Sequence, residues 1–480
     1  MASLKKNVIY STLLTTANYI FPIITFPYVS RVLGVTNVGI VNFVDSIVNY
    51  FVLFAMMGIN TVAIREIASC KNNRQKLSGV FTSLFLLNLI VTVLMIALLI
   101  IATLAIPRLY ENKELMLVGA FKLLFNALLV EWLYRGLEEF KYITIRTLIV
   151  RALFVVSVFI FVRDINDYVI YYGLVSSTIV INGIINLVHS RNYLSPSLRN
   201  INIFPFIKGF LILGVYKLLT SMYTTFNVSF LGFEGGDTEV GYYATATKLH
   251  SIILAMFTAF TCVMLPRMSS LITSKNKTDF KSYFDKSIKI LFSFSFPLIC
   301  FCSVYSDLII SSISGKGYEL AVPCMQIIMP LIFIIGYEQI LVIQILMPLK
   351  KDKAILANSI IGAMVGLLTN FLLVPYYVSI GSSMVWLISE ISVLVSAQFF
   401  VHKYTNTSFY FKRLFKYLLY SMPIILILIM IHESKLTGIV SLLIGGTLTA
   451  IYFSVLEIYV EKNVIIISAL KHFLKKQTNY

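Results

Sequence analysis

The chain has 480 residues, of which 58% are hydrophobic and only 13% are charged, and its mean hydropathy is +0.86. Soluble domains carry roughly 25% charged residues, so the composition indicates a membrane protein and excludes a soluble enzyme. The net charge of +17 is spread over the connections between apolar runs, which leaves no basic domain for nucleic acid. Four of the five cysteines lie in apolar runs, which predicts small core residues rather than disulfides or metal ligands.

The apolar runs predict an all-α polytopic membrane protein with about 14 transmembrane helices, because a span needs about 20 predominantly apolar residues. The run after Lys5-Lys6 begins like a signal peptide, but it is long enough to span and no cleavage site follows, so we expect a retained first helix. The predicted spans lie near 8–32, 40–64, 78–105, 115–135, 145–163, 168–188, 207–233, 240–266, 288–312, 323–348, 354–375, 381–401, 417–432 and 437–460.

One stretch of the sequence occurs twice. The first copy reads Leu33-Gly34, Val38-Gly39 and Arg65, and the second reads Leu231-Gly232, Val240-Gly241 and Arg267. The interval from the Val-Gly glycine to the arginine is 26 positions in both copies. An even number of spans fits between them, so both copies have the same orientation. This pattern predicts two parallel repeats with turns at the glycines and a site where the halves face each other.

The repeats predict three parts of the chain. Residues 1–200 form an N-terminal six-helix lobe, residues 201–405 form a C-terminal six-helix lobe, and residues 406–480 add a helix pair and a basic cytoplasmic tail. The last helix pair has no counterpart in the first half. All connections are too short for a separate domain outside the membrane.

Lys and Arg residues predict the orientation. Of the 39, 29 fall in one set of connections, six in the opposite set, and four inside spans. Because cytoplasmic loops are enriched in Lys and Arg, we expect both termini and the 267–287 connection in the cytoplasm.

Polar residues repeat at helical spacing in the first two spans. In the opening helix they are Ser11, Thr15, Asn18, Pro22 and Thr25, and in the next helix they are Asn42, Asp45 and Asn49. Such spacing places each set on one helix face. The face either packs against another helix or lines a polar path, since Ser and Thr also join transmembrane helices.

Charges inside spans are more informative, because a Lys or Arg near a helix centre costs at least ~2.5 kcal/mol and needs a wet cavity or a partner. The cations are Lys122, Arg151, Lys217 and Lys248. We predict a substrate path of Asn18, Arg31, Asp45, Arg151, Lys217 and Lys248. The candidates for coupling or ion pairing are Asp45, Glu131, Glu338 and Glu390. Two readings stay open at this point: the cations pair between helices, or they line a cavity suited to an anionic headgroup, above all a diphosphate.

The sequence offers little evidence of a catalytic site. The five histidines are scattered, and the sequence has no HExxH, P-loop or Asp-x-Asp motif. We therefore predict no catalytic residue, no metal and no cofactor. A membrane-embedded polysaccharide polymerase, the alternative from another class, would need acids or arginines in an exposed outer loop, and these loops are short.

Several motifs resemble those of a known protein family, and they follow the family's order along nearly the whole chain. They are Ser30–Gly34 with Gly39, Gly58-Ile59 with Arg65–Ala68, Glu131–Tyr142, Val240–Tyr243 with Ala246, Leu265–Ser269, Leu349–Lys353, Asn370, Pro375-Tyr376, Gly381 and Ser389-Glu390. Through them the chain resembles the bacterial polysaccharide repeat-unit flippases, the Wzx type of the multidrug/oligosaccharidyl-lipid/polysaccharide exporter superfamily.

The resemblance implies two six-helix lobes around a central cavity that work by alternating access. It implies a multi-pass protein of the bacterial inner membrane that moves undecaprenyl-diphosphate-linked oligosaccharides for O-antigen, capsule or exopolysaccharide synthesis. The partners would then be the lipid-linked oligosaccharide, membrane lipids and, as candidates, the polymerase and chain-length proteins of the pathway. Multidrug extruders of the superfamily usually have twelve spans; the extra helix pair favours the flippase, and the ion-coupled extruder remains the alternative.

Overall fold

A computed structural model describes residues 4–194, 201–222, 224–274, 277–434 and 437–463. The side chains at some further helical positions, Asn18 among them, also lie outside the described part. Within those ranges all regular secondary structure is helical, and twelve helical stretches are long and apolar enough to cross a membrane. The predicted all-α polytopic class is confirmed, whereas the number of about 14 spans and the repeat layout stay predictions.

The first half of the chain contains α1 (Leu4–Met56), α2 (Ile59–Cys70), α3 (Arg74–Ala105), α4 (Pro107–Glu111), α5 (Lys113–Leu128), α6 (Glu131–Gly136), α7 (Phe140–Phe161), a 3₁₀ turn (Ile165–Asp167), α8 (Tyr168–Ser190), α9 (Phe204–Ser221) and α10 (Thr225–Glu234). The second half contains α11 (Asp237–Thr273), α12 (Lys277–Val304), α13 (Ser306–Ser314), α14 (Ala321–Ile328), α15 (Leu331–Leu341), a π-helical segment (Val342–Leu346), α16 (Asp352–Thr405), α17 (Phe411–His432), α18 (Gly438–Val455) and a second π-helical segment (Leu456–Val460).

The two longest helices are each interrupted once. Helix α1 has 53 residues, which at 1.5 Å per residue would be about 80 Å long, more than twice the thickness of a bilayer core. The break lies at Gly34, with φ 71° and ψ 170°, a backbone conformation that glycine adopts without steric cost. This is the turn predicted at Leu33-Gly34. The turns predicted at the other three glycines are wrong, because Gly39, Gly232 and Gly241 lie inside helices. In α16 the break lies at Val378, with φ 42°.

Four of the predicted spans, near 40–64, 115–135, 207–233 and 323–348, are interrupted in the structure, although Lys113–Gly136 and Ala321–Leu346 remain long and apolar enough to cross a membrane. The chain leaves the helix at Met57 and Val130, both at positive φ, and α14 stops before Pro330. At two of these breaks, residues distant in sequence form hydrogen bonds with backbone groups beside the break. The Gly58 amide donates to the Phe210 carbonyl over 3.1 Å, and the Asn186 amide donates to the Leu129 carbonyl. Broken helices are tolerated in apolar surroundings only when neighbours supply such partners.

The chain forms two compact units. The first comprises Met1–Lys248 and Ser359–Ser389, and the second comprises Leu249–Asn358 and Glu390–Tyr480. These units follow packing, whereas the predicted lobes at 1–200 and 201–405 and the addition at 406–480 follow the sequence repeats, so the lobe boundaries stay a prediction. In the first unit α1 packs against α5, α7 and α8. Residues of α1, α7 and α8 line the cavity described below.

The Val-Gly parts of the two copies lie against each other within the first unit. A Cβ atom on Gly39 would lie 1.7 Å from the Asp237 carbonyl oxygen, and one on Gly241 would lie 2.2 Å from the Val35 carbonyl oxygen. Only glycine therefore allows the two backbones to approach this closely. The equivalent threonines also meet, with 3.0 Å between the hydroxyl oxygens of Thr36 and Thr238.

Charged and aromatic groups reinforce the same junction. Arg108 Nη2 lies 2.9 Å from Asp237 Oδ1, and its guanidinium carbon lies 5.0 Å from the ring centre of Phe43. The Phe43 ring meets that of Phe233 edge to face at 5.2 Å. We define the contacts of residues 35–39 and 237–241 as the turn junction.

Replacing Gly39 by alanine should separate the two turns, because the new methyl group has no room. A Thr36→Cys/Thr238→Cys pair should form a disulfide efficiently on mild oxidation, and adding Gly39→Ala should reduce the yield severalfold. Gly79→Ala is the matched control, since a Cβ atom there meets nothing within 4 Å. Equal yields with Gly39→Ala and Gly79→Ala would contradict the close approach.

Candidate functional site

The first unit contains a cavity of about 260 Å³ between α1, α7, α8 and α11. Apolar side chains form part of its wall: Phe21, Pro22, Phe26, Val29, Val38, Val41, Phe154, Val175 and Ala244. The remaining lining side chains are polar or charged: Thr25, Asn42, Asp45, Arg151, Tyr171, Tyr172, Thr178 and Lys248. Small-molecule pockets usually measure about 300–1,000 Å³. In this conformation the cavity therefore suits a compact polar group rather than a whole oligosaccharide.

An ion pair and two hydrogen bonds form a cluster beside the cavity. Lys122 Nζ lies 2.5 Å from Asp45 Oδ1 and 2.9 Å from Asn49 Oδ1, and Asn49 Nδ2 donates to Asp45 Oδ2 over 3.0 Å. The Lys122 side chain is only 7% exposed, whereas that of Asp45 is 28% exposed. The buried ammonium thus receives a carboxylate and an amide oxygen in place of water, which offsets its desolvation cost.

Two further cations line the cavity itself. Arg151 Nη1 donates to the Ala17 carbonyl over 3.0 Å, which anchors one edge of the guanidinium and leaves other donors for a ligand. The Lys248 side chain is accessible to water and lies within electrostatic range of Asp45. Neither cation forms an ion pair with any residue that the structure describes.

The charges around the cavity do not cancel. Asp45 is the one carboxylate in the lining, and Lys122 already pairs with it. Arg151 and Lys248 therefore leave an excess of positive charge on a partly apolar wall. A water-accessible cavity with these properties attracts an anion, and guanidinium and ammonium groups bind phosphate oxygens with charge-assisted hydrogen bonds.

Lys217 lines a different cavity of the first unit, of about 440 Å³. Glu131 and Asn49 line this second cavity too, and Glu131 is paired with Arg135 at 3.0 Å. Asn49 also bonds Asp45 and Lys122, so the cluster stands between the two cavities. Sequence reasoning placed Lys217 and Lys248 at one headgroup, and the structure puts them in separate cavities of the same unit.

The remaining predicted residues lie elsewhere. Arg31 is exposed on α1, just before the break at Gly34, and lines neither cavity. The Asn18 side chain lies outside the described residues. Glu338 and Glu390 belong to the second unit, where they lie within electrostatic range of each other. Of the four intramembrane cations, Lys122 forms the ion pair between helices that the sequence left open, with Asp45.

Sequence reasoning missed the contribution of α8. Tyr171, Tyr172, Val175 and Thr178 all reach the cavity, and their spacing puts them on one helix face. The spacing was a usable signal, but tyrosines in an apolar run resemble residues at a membrane interface. Among the described residues, no group of three or more His, Cys, Asp or Glu side chains is placed to hold a metal.

Comparisons with known proteins agree with the fold. Residues 4–272 match the family described as "Polysaccharide biosynthesis protein", and residues 213–372 match the family MatE. The chain is similar to the "Putative O-antigen transporter" of Escherichia coli (strain K12), with 29% identity over 81% of this chain and 94% of that protein. A protein of the same name from Shigella dysenteriae is 27% identical over 82% of this chain and 98% of its own length.

Solved structures show the same fold. "Lipid II flippase MurJ, inward closed conformation" superimposes with a TM-score of 0.75 at 14% identity, over 94% of this chain and 98% of that one. "Inward-facing conformation of a multidrug resistance MATE family transporter of the MOP superfamily" superimposes with a TM-score of 0.58 at 11% identity, over 80% and 95% of the two chains. These findings confirm the resemblance inferred from the motifs. Since the first family match covers more than half of the sequence, the chain belongs to the polysaccharide biosynthesis protein family.

Proposed function

We propose that the chain is a flippase that moves oligosaccharide repeat units, linked through a diphosphate to a polyprenyl lipid such as undecaprenol, across the bacterial inner membrane. It would serve the synthesis of O-antigen, capsule or exopolysaccharide and work by alternating access. The similar proteins named above are transporters or flippases by name, so the chain is a multi-pass membrane transporter rather than an enzyme. The predicted cytoplasmic location of both termini is part of the proposal.

The excess positive charge of the first cavity carries the proposal. A diphosphate cannot cross the bilayer core unassisted, because its hydration would be lost there. Arg151 and Lys248 offer charge-assisted hydrogen bonds in a water-accessible place, while the apolar side chains of the same wall suit a lipid-linked ligand. The sugar and the polyprenyl tail would stay outside this small cavity, the tail in the lipid.

The ion-coupled multidrug extruder of the same superfamily is the second candidate, and the charge of the cavity speaks against it. A cationic drug would meet Arg151 and Lys248 with like charge, whereas the one lining carboxylate, Asp45, is occupied by Lys122. Like-charge contacts in a shielded cavity cost several kcal/mol in typical interfaces. The polymerase alternative receives no support from the relatives' names.

The alternating-access part of the proposal assigns a role to the turn junction. On the predicted orientation this junction closes the outer end of the first unit, and release of a headgroup outward would require residues 35–39 to part from residues 237–241. The second cavity, with Lys217, is the proposed continuation of the path. Glu338 and Glu390 stay candidates for coupling to an ion.

Cells of the source organism that lack the chain should lose surface polysaccharide and accumulate lipid-linked repeat units on the cytoplasmic side. Their tolerance of cationic drugs should be unchanged. Mass spectrometry of extracted lipids and growth in drug series measure the two outcomes. Intact polysaccharide together with altered drug tolerance would favour the extruder.

Charge removal in the first cavity should reduce transport without loss of protein. Lys248→Gln and Arg151→Gln should each lower the rate about tenfold or more, since a hydrogen bond to a charged group contributes about 1.5–3 kcal/mol. Lys217→Gln tests the second cavity separately, and Lys141→Gln, at an exposed position, is the control. Transport should be normalised to protein in the membrane. Normal transport by both Lys248→Gln and Arg151→Gln would contradict a headgroup role for this cavity.

Breaking the ion pair of the cluster should destabilise the fold. Lys122→Gln leaves Asp45 without its cation, at a cost of about 3 kcal/mol, the low end for buried pairs because Asp45 faces the wet cavity. The double variant Asp45→Asn/Lys122→Gln should recover most of this loss. Thermal unfolding of the purified protein in detergent measures both. Equal unfolding temperatures for wild type and Lys122→Gln would show that the pair contributes little.

A further inference from the structure

The second unit contains a cavity of its own, of about 840 Å³. Its wall combines the end of α11, the first turns of α12, the segment after the first π-helical segment, the end of α16 and the linker that leads into α17. The lining residues are Leu271, Ile272, Phe280, Lys281, Phe284, Leu349, Lys403, Tyr404, Thr405, Asn406, Thr407, Ser408 and Tyr410. We call this cavity the linker pocket.

Hydrogen bonds hold the linker in place. Asn406 ends α16 in the left-handed conformation with φ 54°, and its amide donates to the His402 carbonyl over 2.8 Å. Gln398 Nε2 donates to the Thr407 carbonyl over 2.8 Å, and the Tyr410 hydroxyl donates to the Asp285 carboxylate. A site whose polar groups are already positioned loses less entropy when a ligand binds.

Both apolar and polar side chains line the linker pocket. Leu271, Phe280, Phe284 and Leu349 are among the apolar ones, and Thr405, Thr407 and Ser408 supply hydroxyl groups. Lys281 and Lys403 supply the charge, and both are exposed. No Asp or Glu is among the lining residues. An apolar wall beside two lysines and several hydroxyls matches an amphiphile with an anionic head.

Further positive charge surrounds the mouth. Lys351 Nζ lies 4.3 Å from the ring centre of Tyr404, and the Arg413 guanidinium carbon lies 5.6 Å from that of Tyr410. Two acids, Asp279 and Asp285, directly adjoin lining residues in the sequence, and the Tyr410 hydroxyl donates to the Asp285 carboxylate. Lys281, Lys351, Lys403 and Arg413 fall in the connections that carry 29 of the 39 Lys and Arg residues, and these connections are predicted to be cytoplasmic. Anionic lipid headgroups of the cytoplasmic leaflet attract basic segments.

We propose that the linker pocket binds an anionic phosphoglycerolipid of the cytoplasmic leaflet. The phosphate lies between Lys281 and Lys403, the glycerol contacts the hydroxyl residues, and the first part of an acyl chain lies along Phe280, Phe284 and Leu349. The lipid ties the linker, and with it α17, to the start of α12. This site is separate from the transport proposal, because all its residues belong to the second unit.

The test uses the purified full chain and phosphatidylglycerol, with phosphatidylcholine as the neutral lipid, and counts bound lipids by native mass spectrometry across a titration. Phosphatidylglycerol should bind more tightly than phosphatidylcholine. The double variant Lys281→Gln/Lys403→Gln should weaken phosphatidylglycerol binding by about fivefold per lysine, the contribution of one Lys near a charged lipid surface. Lys353→Gln/Lys412→Gln removes the same charge at exposed positions outside the pocket and should leave binding unchanged.

A variant of the apolar wall makes the test independent of the lysines. Leu349→Glu places a carboxylate in the pocket and should also weaken phosphatidylglycerol binding, with both lysines present. Equal effects of the two double variants would overturn the proposal, because the loss would then follow net charge alone. Displacement of the lipid by inorganic pyrophosphate at equal concentration would overturn it as well and indicate a simple anion site. Preferential binding of a polyprenyl diphosphate would do the same and place the pocket on the transport path.

Discussion

A lysine ammonium inside a bundle of apolar helices must be supplied with partners by the protein, and the first unit is arranged around one such ammonium. Lys122 on α5 reaches Asp45 and Asn49 on α1, so the pair fixes how these two helices face each other. The same contact determines which charges remain for a ligand. Because Asp45 is neutralised by the buried lysine, Arg151 and Lys248 face the cavity with their charge uncompensated.

The requirement that polar groups be satisfied internally also explains the shape of the helices. An apolar run can be broken where a distant group replaces the missing helical hydrogen bond, as Phe210 does for Gly58 and Asn186 does for Leu129. Each break redirects the chain, which lets α5 and α6 present different faces to α8. At the turn junction the constraint is steric, because two backbones meet where neither Gly39 nor Gly241 could carry a side chain.

Most of the helices could be predicted from the sequence. The helix breaks that were not predicted have a physical cause. Apolar runs predict helices because composition alone determines whether a segment can lie in lipid, and the Leu-Gly turn at Gly34 was predicted because local backbone conformation depends on the residue itself. The breaks at Met57 and Val130 interrupt mainly apolar runs, and the hydrogen-bond partners of the adjoining Gly58 and Leu129 are more than fifty residues away in sequence. The residues around each break do not identify these distant partners.

Part of the candidate site could be predicted from the sequence, and part depended on packing. An intramembrane cation implies a partner or a cavity, and the sequence left both readings open; Lys122 is the paired one, and Arg151 and Lys248 line the cavity. The faces by which two helices contact each other depend on packing, which the sequence does not show. Lys217 and Lys248 were therefore expected on one substrate path, although they line different cavities. The tyrosines of α8 were missed for the same reason.

We propose that the diphosphate is the feature by which the transporter recognises its cargo. The most direct measurement compares two fluorescent glycolipids with the same sugar and the same polyprenyl tail in vesicles that contain the purified protein. One carries a diphosphate linkage and the other a neutral linkage, and quenching from outside reports how fast each changes leaflet. We expect rapid movement of the diphosphate-linked lipid alone, and movement about tenfold slower with Lys248→Gln. Equal rates for the two lipids would contradict it.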